Sequence, residues 1–119
     1  MEQTKNLYTE ERPWGYFTIL DEGEGFKVKK LGFYPGKRLS LQYHNRRSEV
    51  WSVVEGTALV TCGDVIREYT KGETAIIPQG AIHRLENRTN SIVTIIEVQN
   101  GDYLGEDDII RLEDDYHRM

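Results

Sequence analysis

The sequence predicts an all-β sandwich or barrel, and three observations carry that prediction. About nine short segments rich in β-branched and aromatic residues are separated by turns containing glycine or proline. Several of them alternate side chains with a period of two, as in Glu49, Trp51, Val53 and Glu55. No amphipathic stretch of about ten residues reads as a helix before residue 104, so sheets must close the core against each other. With 119 residues the chain is expected to form one domain, burying roughly two-thirds of its unfolded surface.

In chain order, residues 1–11 are polar and read as a loose arm or an edge strand exchanged with a neighbour, with the folded domain running over 12–119. Arg12 to Leu20 reads as a strand stopped by the acidic, glycine-containing turn Asp21 to Gly25. Phe26 to Tyr34 follows, with Lys27, Lys29, Leu31 and Phe33 on one face. If Leu31 and Phe33 face the core, Lys29 points inward with them, which demands a counter-charge or a wet cavity. After the Pro35-Gly36 turn, Arg38, Ser40, Gln42 and His44 share a strand face, and Asn45 to Ser48 turn the chain into the strand from Glu49 to Glu55. Thr57 to Thr61 and Val65 to Tyr69 flank the hairpin signal Cys62-Gly63-Asp64. Ala75 to Ile77, Ile82 to Glu86 and Ile92 to Val98 complete the strands, and the polar end LGEDDIIRLEDDYHRM reads as a helical turn or an extended flap.

Acidic residues outnumber basic ones by 20 to 15, for a net charge of −5, which argues against nucleic acid or an anionic membrane as the main partner. The single Cys62 permits no internal disulfide. The start MEQTKNLYTEERPWG lacks the apolar centre of a signal peptide, and no run is long enough to span a bilayer. The cytoplasm is the expected compartment.

Between Gly36 and Gly56 the chain places Gln42, His44 and Glu49 within eight residues. Side chains two apart on a strand project from one face, so Gln42 and His44 point together, and Glu49 opens the returning strand beside them. An imidazole, a carboxylate and an amide oxygen suit a borderline divalent ion such as zinc, manganese, iron or cobalt. A fourth candidate, His83, follows the Pro78-Gln79-Gly80 turn.

The two stretches together are similar to the paired motifs of the cupin superfamily. Gly36, Gln42, His44, Glu49 and Gly56 stand at the spacing of the first motif, with Gln42 where many cupins carry histidine. Gly72, Pro78, Gly80, His83 and Asn87 stand at that of the second. The resemblance implies a double-stranded β-helix, the cupin or jelly-roll barrel, with a short polar C-terminal segment. RPWGYF, LSLQYHNRRSEVWSVVEGTA and IIEVQNGDYLGEDDIIRLEDDY further resemble the C-terminal cupin domain of type II phosphomannose isomerases, which is usually fused behind a mannose-1-phosphate guanylyltransferase. The nucleotidyltransferase half has no counterpart in this sequence, so guanylyl transfer is not expected. Departures in the loop Asn45 to Val50 and at Tyr116, His117 and Arg118 put the sugar specificity in question.

The resemblance implies conversion of mannose 6-phosphate to fructose 6-phosphate through an enediolate. One divalent ion (zinc, manganese, cobalt, iron or nickel) would be held by Gln42, His44, Glu49 and His83. Arg47 matches the arginine the family uses in isomerisation, and a guanidinium can grip a diolate or phosphate in bidentate fashion. Arg84, Arg38 and Arg12 are candidates for the phosphate end. Lys29, or a tail carboxylate such as Glu106, Asp107 or Asp108, is a candidate base. Two alternatives stand beside this reading: an iron-dependent cupin oxygenase, and a non-catalytic sugar-binding partner of a larger enzyme. The expected partners are a small sugar phosphate and a second copy of the chain.

Overall fold

A computed structural model of the chain describes residues 7–118, and among these it contains eleven strands and no helix. One six-stranded antiparallel sheet is built from β1 (Tyr8–Arg12), β2 (Gly15–Gly23), β3 (Phe26–Phe33), β10 (Val93–Gly101), β5 (Arg47–Glu55) and β8 (Thr74–Ile77), in that order across the sheet. The facing sheet has five strands, in the order β11 (Ile110–Glu113), β4 (Leu41–Tyr43), β9 (His83–Glu86), β6 (Thr57–Cys62) and β7 (Val65–Thr70). The non-consecutive neighbours β3, β10 and β5 show the chain crossing from sheet to sheet, as a double-stranded β-helix requires. No helix of the described residues is long and apolar enough to cross a membrane.

Each hydrophobic run became a strand because its alternation could be buried on one side. On β5, Arg47, Glu49, Trp51 and Val53 are buried while Ser48, Val50 and Ser52 are only half-buried. Gln99, Glu97, Ile95 and Val93 of β10 and Lys29, Leu31 and Phe33 of β3 are buried as well, and the register sets Trp51, Glu97 and Lys29 in one row across three strands. Opposite residues of an antiparallel pair share a face, so that row points into the barrel. Lys29 is therefore inward, as the alternation predicts, and only 4% exposed. From β9 of the facing sheet, His83 meets the edge of the Trp51 ring at a centroid distance of 5.5 Å.

The closed end of the barrel is dry: Phe33, Leu85, Val93 and Ile95 are fully buried there, and Trp14 stacks on Phe33 at 4.7 Å. Burying each large apolar side chain contributes about 1.5–3 kcal/mol. Gly56 makes the turn from β5 to β6 with φ +82°, and a Cβ there would lie 2.7 Å from the carbonyl oxygen of Ile92. Buried Asn87 donates from Nδ2 to the carbonyls of Phe33 (2.9 Å) and Ser91 (2.8 Å), tying a loop to this end.

Three expectations change. The strand expected over Arg12 to Leu20 begins at Gly15 and runs on through Asp21 and Glu22 to Gly23, leaving Glu24-Gly25 as the turn. Of the polar arm, residues 1–6 lie outside the described residues, and Tyr8–Arg12 forms an edge strand on its own β2, with Tyr8 opposite Ile19. For the polar C-terminal segment the extended alternative replaces the helical turn: β11 pairs with β4, placing Arg111 opposite Gln42.

Candidate metal and ligand site

The mouth of the barrel is lined by residues from both sheets and opens into a cavity of about 160 Å³. Gln42 lies opposite His83 in register, so β4 and β9 present both side chains inward. His44 sits at the end of β4, where the chain turns through Asn45 and Arg46 into β5. That turn is pinned from three directions. The Asp108 carboxylate accepts the backbone N–H groups of Asn45 (3.1 Å) and Arg46 (2.9 Å). Gly80, in the left-handed region at φ +82°, donates its N–H to the carbonyl of His44 at 2.9 Å. Gln79 Nε2 donates to the carbonyl of Asn45 at 2.6 Å. At the other end of the turn, Gly101 lies so close that a Cβ would collide with the carbonyl of Arg46.

These supports aim one ligand atom from each of His44, Glu49 and His83 at a common point, all within 4.8 Å of one another and all buried. His44 Nδ1 lies 2.9 Å from the carbonyl of Asp108 and His83 Nδ1 lies 2.9 Å from that of Ala81. A carbonyl accepts only, so each Nδ1 carries a proton and each ring turns its Nε2 toward the site, that of His44 lying 3.2 Å from Glu49 Oε2. Such carbonyl partners fix the tautomer of a metal-binding imidazole. His83 Nε2 is buried without a hydrogen-bond partner among the described residues, and burial lowers the pKa of the ring, favouring the neutral form. An unpartnered buried nitrogen beside a carboxylate and a second imidazole suits a divalent cation.

Gln42 stands beside these three with its amide turned the other way. Its Oε1 accepts from Ser40 Oγ at 2.6 Å, and its Nε2 faces His44 Nε2 at 3.5 Å. Ligation through oxygen needs a half-turn of the amide, after which Ser40 Oγ accepts from Nε2 instead of donating to Oε1.

Two buried carboxylates share the electrostatics of the pocket. Glu49 Oε2 accepts from Arg47 Nε at 2.8 Å, and its Oε1 accepts from Trp51 Nε1 at 3.0 Å. Burial alone would raise its pKa, but His44, Arg47 and His83 outweigh burial and hold it well below the usual carboxylate range. Glu97 goes the other way: burial first, and then the charge of Glu49, push it up to about 8. The same Trp51 N–H reaches Glu97 Oε2 at 3.0 Å, and Gln99 Nε2 donates to Glu97 Oε1 at 2.8 Å. The pair thus carries one negative charge, on Glu49, and one proton, on Glu97.

Of the expected site residues, His44, Glu49 and His83 converge with Gln42 beside them, and Gln42 and Glu49 line the cavity together with Arg47, Lys29 and Arg12. Arg47 Nη1 is buried with no hydrogen-bond partner among the described residues, and Lys29 Nζ is 2.6 Å from Glu106 Oε1. Arg84 and Arg38 are corrected. Arg84 follows His83 on β9 and projects to the opposite face, where Nε donates to the carbonyl of Leu39 (2.9 Å) and Nη1 to Glu113 (3.2 Å). Arg38 bridges to Glu86 on that same outer face and grips Asp115 at 2.7 and 2.9 Å. The irregular residues Leu39 and Ser40 break the alternation that would have carried Arg38 inward with Gln42. Among the candidate bases, Asp108 is occupied with the turn, Asp107 with Tyr103, and Glu106 alone of the three reaches the pocket. Glu97, Gln99, Arg111 and Arg118 were not anticipated. Glu97 was available from the alternation Val93, Ile95, Glu97 within the expected strand, and Gln99 had that strand been carried past Val98.

Known proteins similar to this chain agree on the fold and narrow the context. The mannose-6-phosphate isomerase C-terminal family matches residues 1–114. The Escherichia coli O157:H7 protein named mannose-1-phosphate guanylyltransferase 2 is 51% identical over 105 residues, covering 88% of this chain and 22% of its own. The alginate biosynthesis protein AlgA of Pseudomonas aeruginosa is 49% identical over 116 residues, covering 98% of this chain and 24% of its own. The chain thus spans less than a quarter of these relatives. A crystal structure of a sugar phosphate isomerase of the cupin superfamily from Silicibacter pomeroyi superposes with a TM-score of 0.65 at 25% identity, over 71% of this chain and 58% of the other. These relatives overturn the expected conversion of mannose 6-phosphate to fructose 6-phosphate. At half identity they are a guanylyltransferase and an alginate biosynthesis protein, and the shared domain carries the family rather than that reaction. Neither the iron oxygenase nor the non-catalytic partner fits better.

Proposed function

The chain belongs to the mannose-6-phosphate isomerase C-terminal family, and from that premise we propose that it is a metal-binding cupin domain of mannose-phosphate metabolism, its pocket taking a phosphorylated mannose. The observation that carries the proposal is the convergence of His44, Glu49 and His83, with His83 Nε2 lacking a hydrogen bond among the described residues, where Glu49 also lines a cavity with Lys29 and Arg47. His44, Glu49 and His83 would hold the ion, joined by Gln42 once its amide turns. The donor set suits zinc, manganese, cobalt, iron or nickel. When bound, the ion supplies Lewis-acid polarisation of ligand oxygens.

The protein's own groups do the rest. Arg47 holds Glu49 through Nε, and its Nη1, 3.9 Å from Glu106 Oε2 and without a hydrogen bond among the described residues, can donate to an anionic ligand oxygen. Lys29, buried against the Phe17 ring at 4.4 Å and paired with Glu106, adds positive charge two strands away on the same sheet. Glu97 keeps a proton beside Glu49, so that a negative ligand meets one buried carboxylate charge there instead of two. Guanylyl transfer belongs to the full-length relatives by name, and this proposal leaves it with them. As a second partner we propose another copy of the chain, for which Ile76, 70% exposed on the edge strand β8, speaks; sedimentation velocity giving only monomer would remove it.

The test is metal content and ligand binding together. Purified protein loaded with manganese, cobalt or zinc should retain about one ion per chain, and His44→Ala and His83→Ala should retain none. Calorimetry should show mannose 6-phosphate binding that weakens when the metal is chelated. Equal metal content in wild type and both variants would sink the reading.

A further inference from the structure

Arg111 carries an unexplained feature. It lies on β11 directly opposite Gln42, so both side chains share the inward face, and it lines the cavity. Its Nε is buried with no hydrogen-bond partner among the described residues. The carboxylates around it are engaged elsewhere. Asp114 takes both Nε and Nη2 of Arg118, at 2.8 and 2.9 Å. Glu106 takes Lys29 at 2.6 Å, and Glu10 takes Arg12 at 2.5 Å. Arg12 and Arg118 line the same cavity, and their charges, after burial itself, depress the pKa of Arg111. Three guanidinium groups therefore line one cavity, and the one that sits opposite Gln42 makes no ion pair among the described residues.

A half-buried guanidinium whose Nε is shut away from water without a partner costs free energy unless an anion completes it. Its planar fork matches two phosphoryl oxygens at once. We propose that Arg111, flanked by Arg12 and Arg118, is a phosphate-binding subsite, holding the phosphate monoester of a sugar whose hydroxyl oxygens reach toward His44, Glu49 and His83. The assignment deepens the proposed function and rests on it for the sugar end only. The phosphate end stands on the arginine cluster alone. It also replaces Arg84 and Arg38, which the fold turns away from the pocket.

Calorimetry on the metal-loaded full chain tests it with four probes: mannose 6-phosphate, mannose 1-phosphate, inorganic phosphate and unphosphorylated mannose. Arg111→Leu should weaken the phosphorylated sugar that wild type binds, and inorganic phosphate, by at least about tenfold, while metal content stays at the wild-type level and any mannose binding is unchanged. Arg111→Lys, which keeps the charge without the fork, should fall between. Should Arg111→Leu fold poorly, Arg12→Gln on a different strand should still weaken the phosphorylated ligand several-fold without moving mannose. Phosphate affinity within twofold of wild type in a folded Arg111→Leu, or an unchanged affinity in Arg12→Gln, overturns the subsite. Equal losses for mannose and its phosphates also overturn it, since they mark a general disturbance. The chelator-treated protein separates the two proposals. Arg111-dependent binding of inorganic phosphate without metal supports the subsite even if the metal site fails, and its absence there, with metal binding intact, counts against the subsite alone.

Discussion

The two ends of the barrel interior are built on one alternation and filled with opposite chemistry. Along β5 the inward side chains run Arg47, Glu49, Trp51, Val53; along β10 they run Gln99, Glu97, Ile95, Val93; along β3, Lys29, Leu31, Phe33. Each strand passes from charge to hydrocarbon within about three inward positions. At the closed end burial is itself the stabilising term. At the mouth the same burial strands polar groups, and His83 Nε2, Arg47 Nη1 and Arg111 Nε are left without hydrogen-bond partners among the described residues. Close packing therefore pays at one end, while the other is held in a state that an added ion and anion would complete.

The largest expected effect tests the closed end. Phe33→Ala should lower the unfolding free energy in urea by about 3–5 kcal/mol, leaving metal content per folded chain unchanged. His83→Ala, at equal burial, should change the metal-free stability by less than about 1 kcal/mol, because it removes an unsatisfied polar atom along with its packing. A loss in His83→Ala comparable to that in Phe33→Ala would erase the distinction between the two ends.

Metal addition sharpens it next. Free ion at a hundred times its dissociation constant should stabilise wild type by about 2.7 kcal/mol, read as a rise in melting temperature. His83→Ala should show no rise.

Acidity probes the mouth alone. Glu97 has its pKa raised to about 8 in the fold, above its unfolded value, so the stability it contributes is present at low pH and is lost as pH rises through about 8. Between pH 6 and 8 that loss is about 2 kcal/mol in metal-free protein. His83, with its pKa lowered, works in the opposite sense: its contribution falls away as pH drops below its unfolded value. The comparison with Glu97→Gln isolates the first effect, since the variant keeps His83 and loses the carboxyl. Parallel pH curves for wild type and Glu97→Gln would mean that Glu97 is ionised in the fold.

How much of this was legible follows from what alternation can and cannot encode. Period two set Lys29 inward beside Leu31 and Phe33, and the spacing of Gln42, His44, Glu49 and His83 brought them to one point, because strands fix the direction of a side chain from its neighbours. Arg38 failed because two irregular residues reset the parity ahead of β4, a break no composition announces. Arg84 failed against the pattern itself, since its neighbour His83 already claimed the inward face. Arg111 stayed hidden because the acidic tail carries no strong apolar alternation, and only its pairing with β4 turns it inward. Asp108 stood among the candidate bases, but its part in capping the Asn45-Arg46 turn is a contact across more than sixty residues.

That long-range contact makes a smaller prediction. Asp108→Ala should lower stability by about 1 kcal/mol, the size of a lost turn cap. Metal affinity should fall roughly tenfold, since the carbonyl that orients His44 moves with the released turn. An unchanged affinity would show that His44 is held by its neighbours on β4 alone.

The smallest effect is expected one residue away from the largest ligand effect on the turn. Arg46 and Arg47 are adjacent, yet Arg46 is exposed and pairs with Asp102 at 3.1 Å, while Arg47 is 3% exposed with Nε on Glu49. Arg46→Ala should leave melting temperature, metal content and mannose 6-phosphate affinity at wild-type values, because an exposed pair is screened by water and salt. Arg47→Ala should weaken the sugar phosphate at least about tenfold through the loss of a charge-assisted donor, and its effect should persist in high salt, where a purely solvated arginine would cease to matter. If the two variants exchange these behaviours, the turn presents its arginines the other way round, and the wall of the pocket facing Glu49 is built by Arg46.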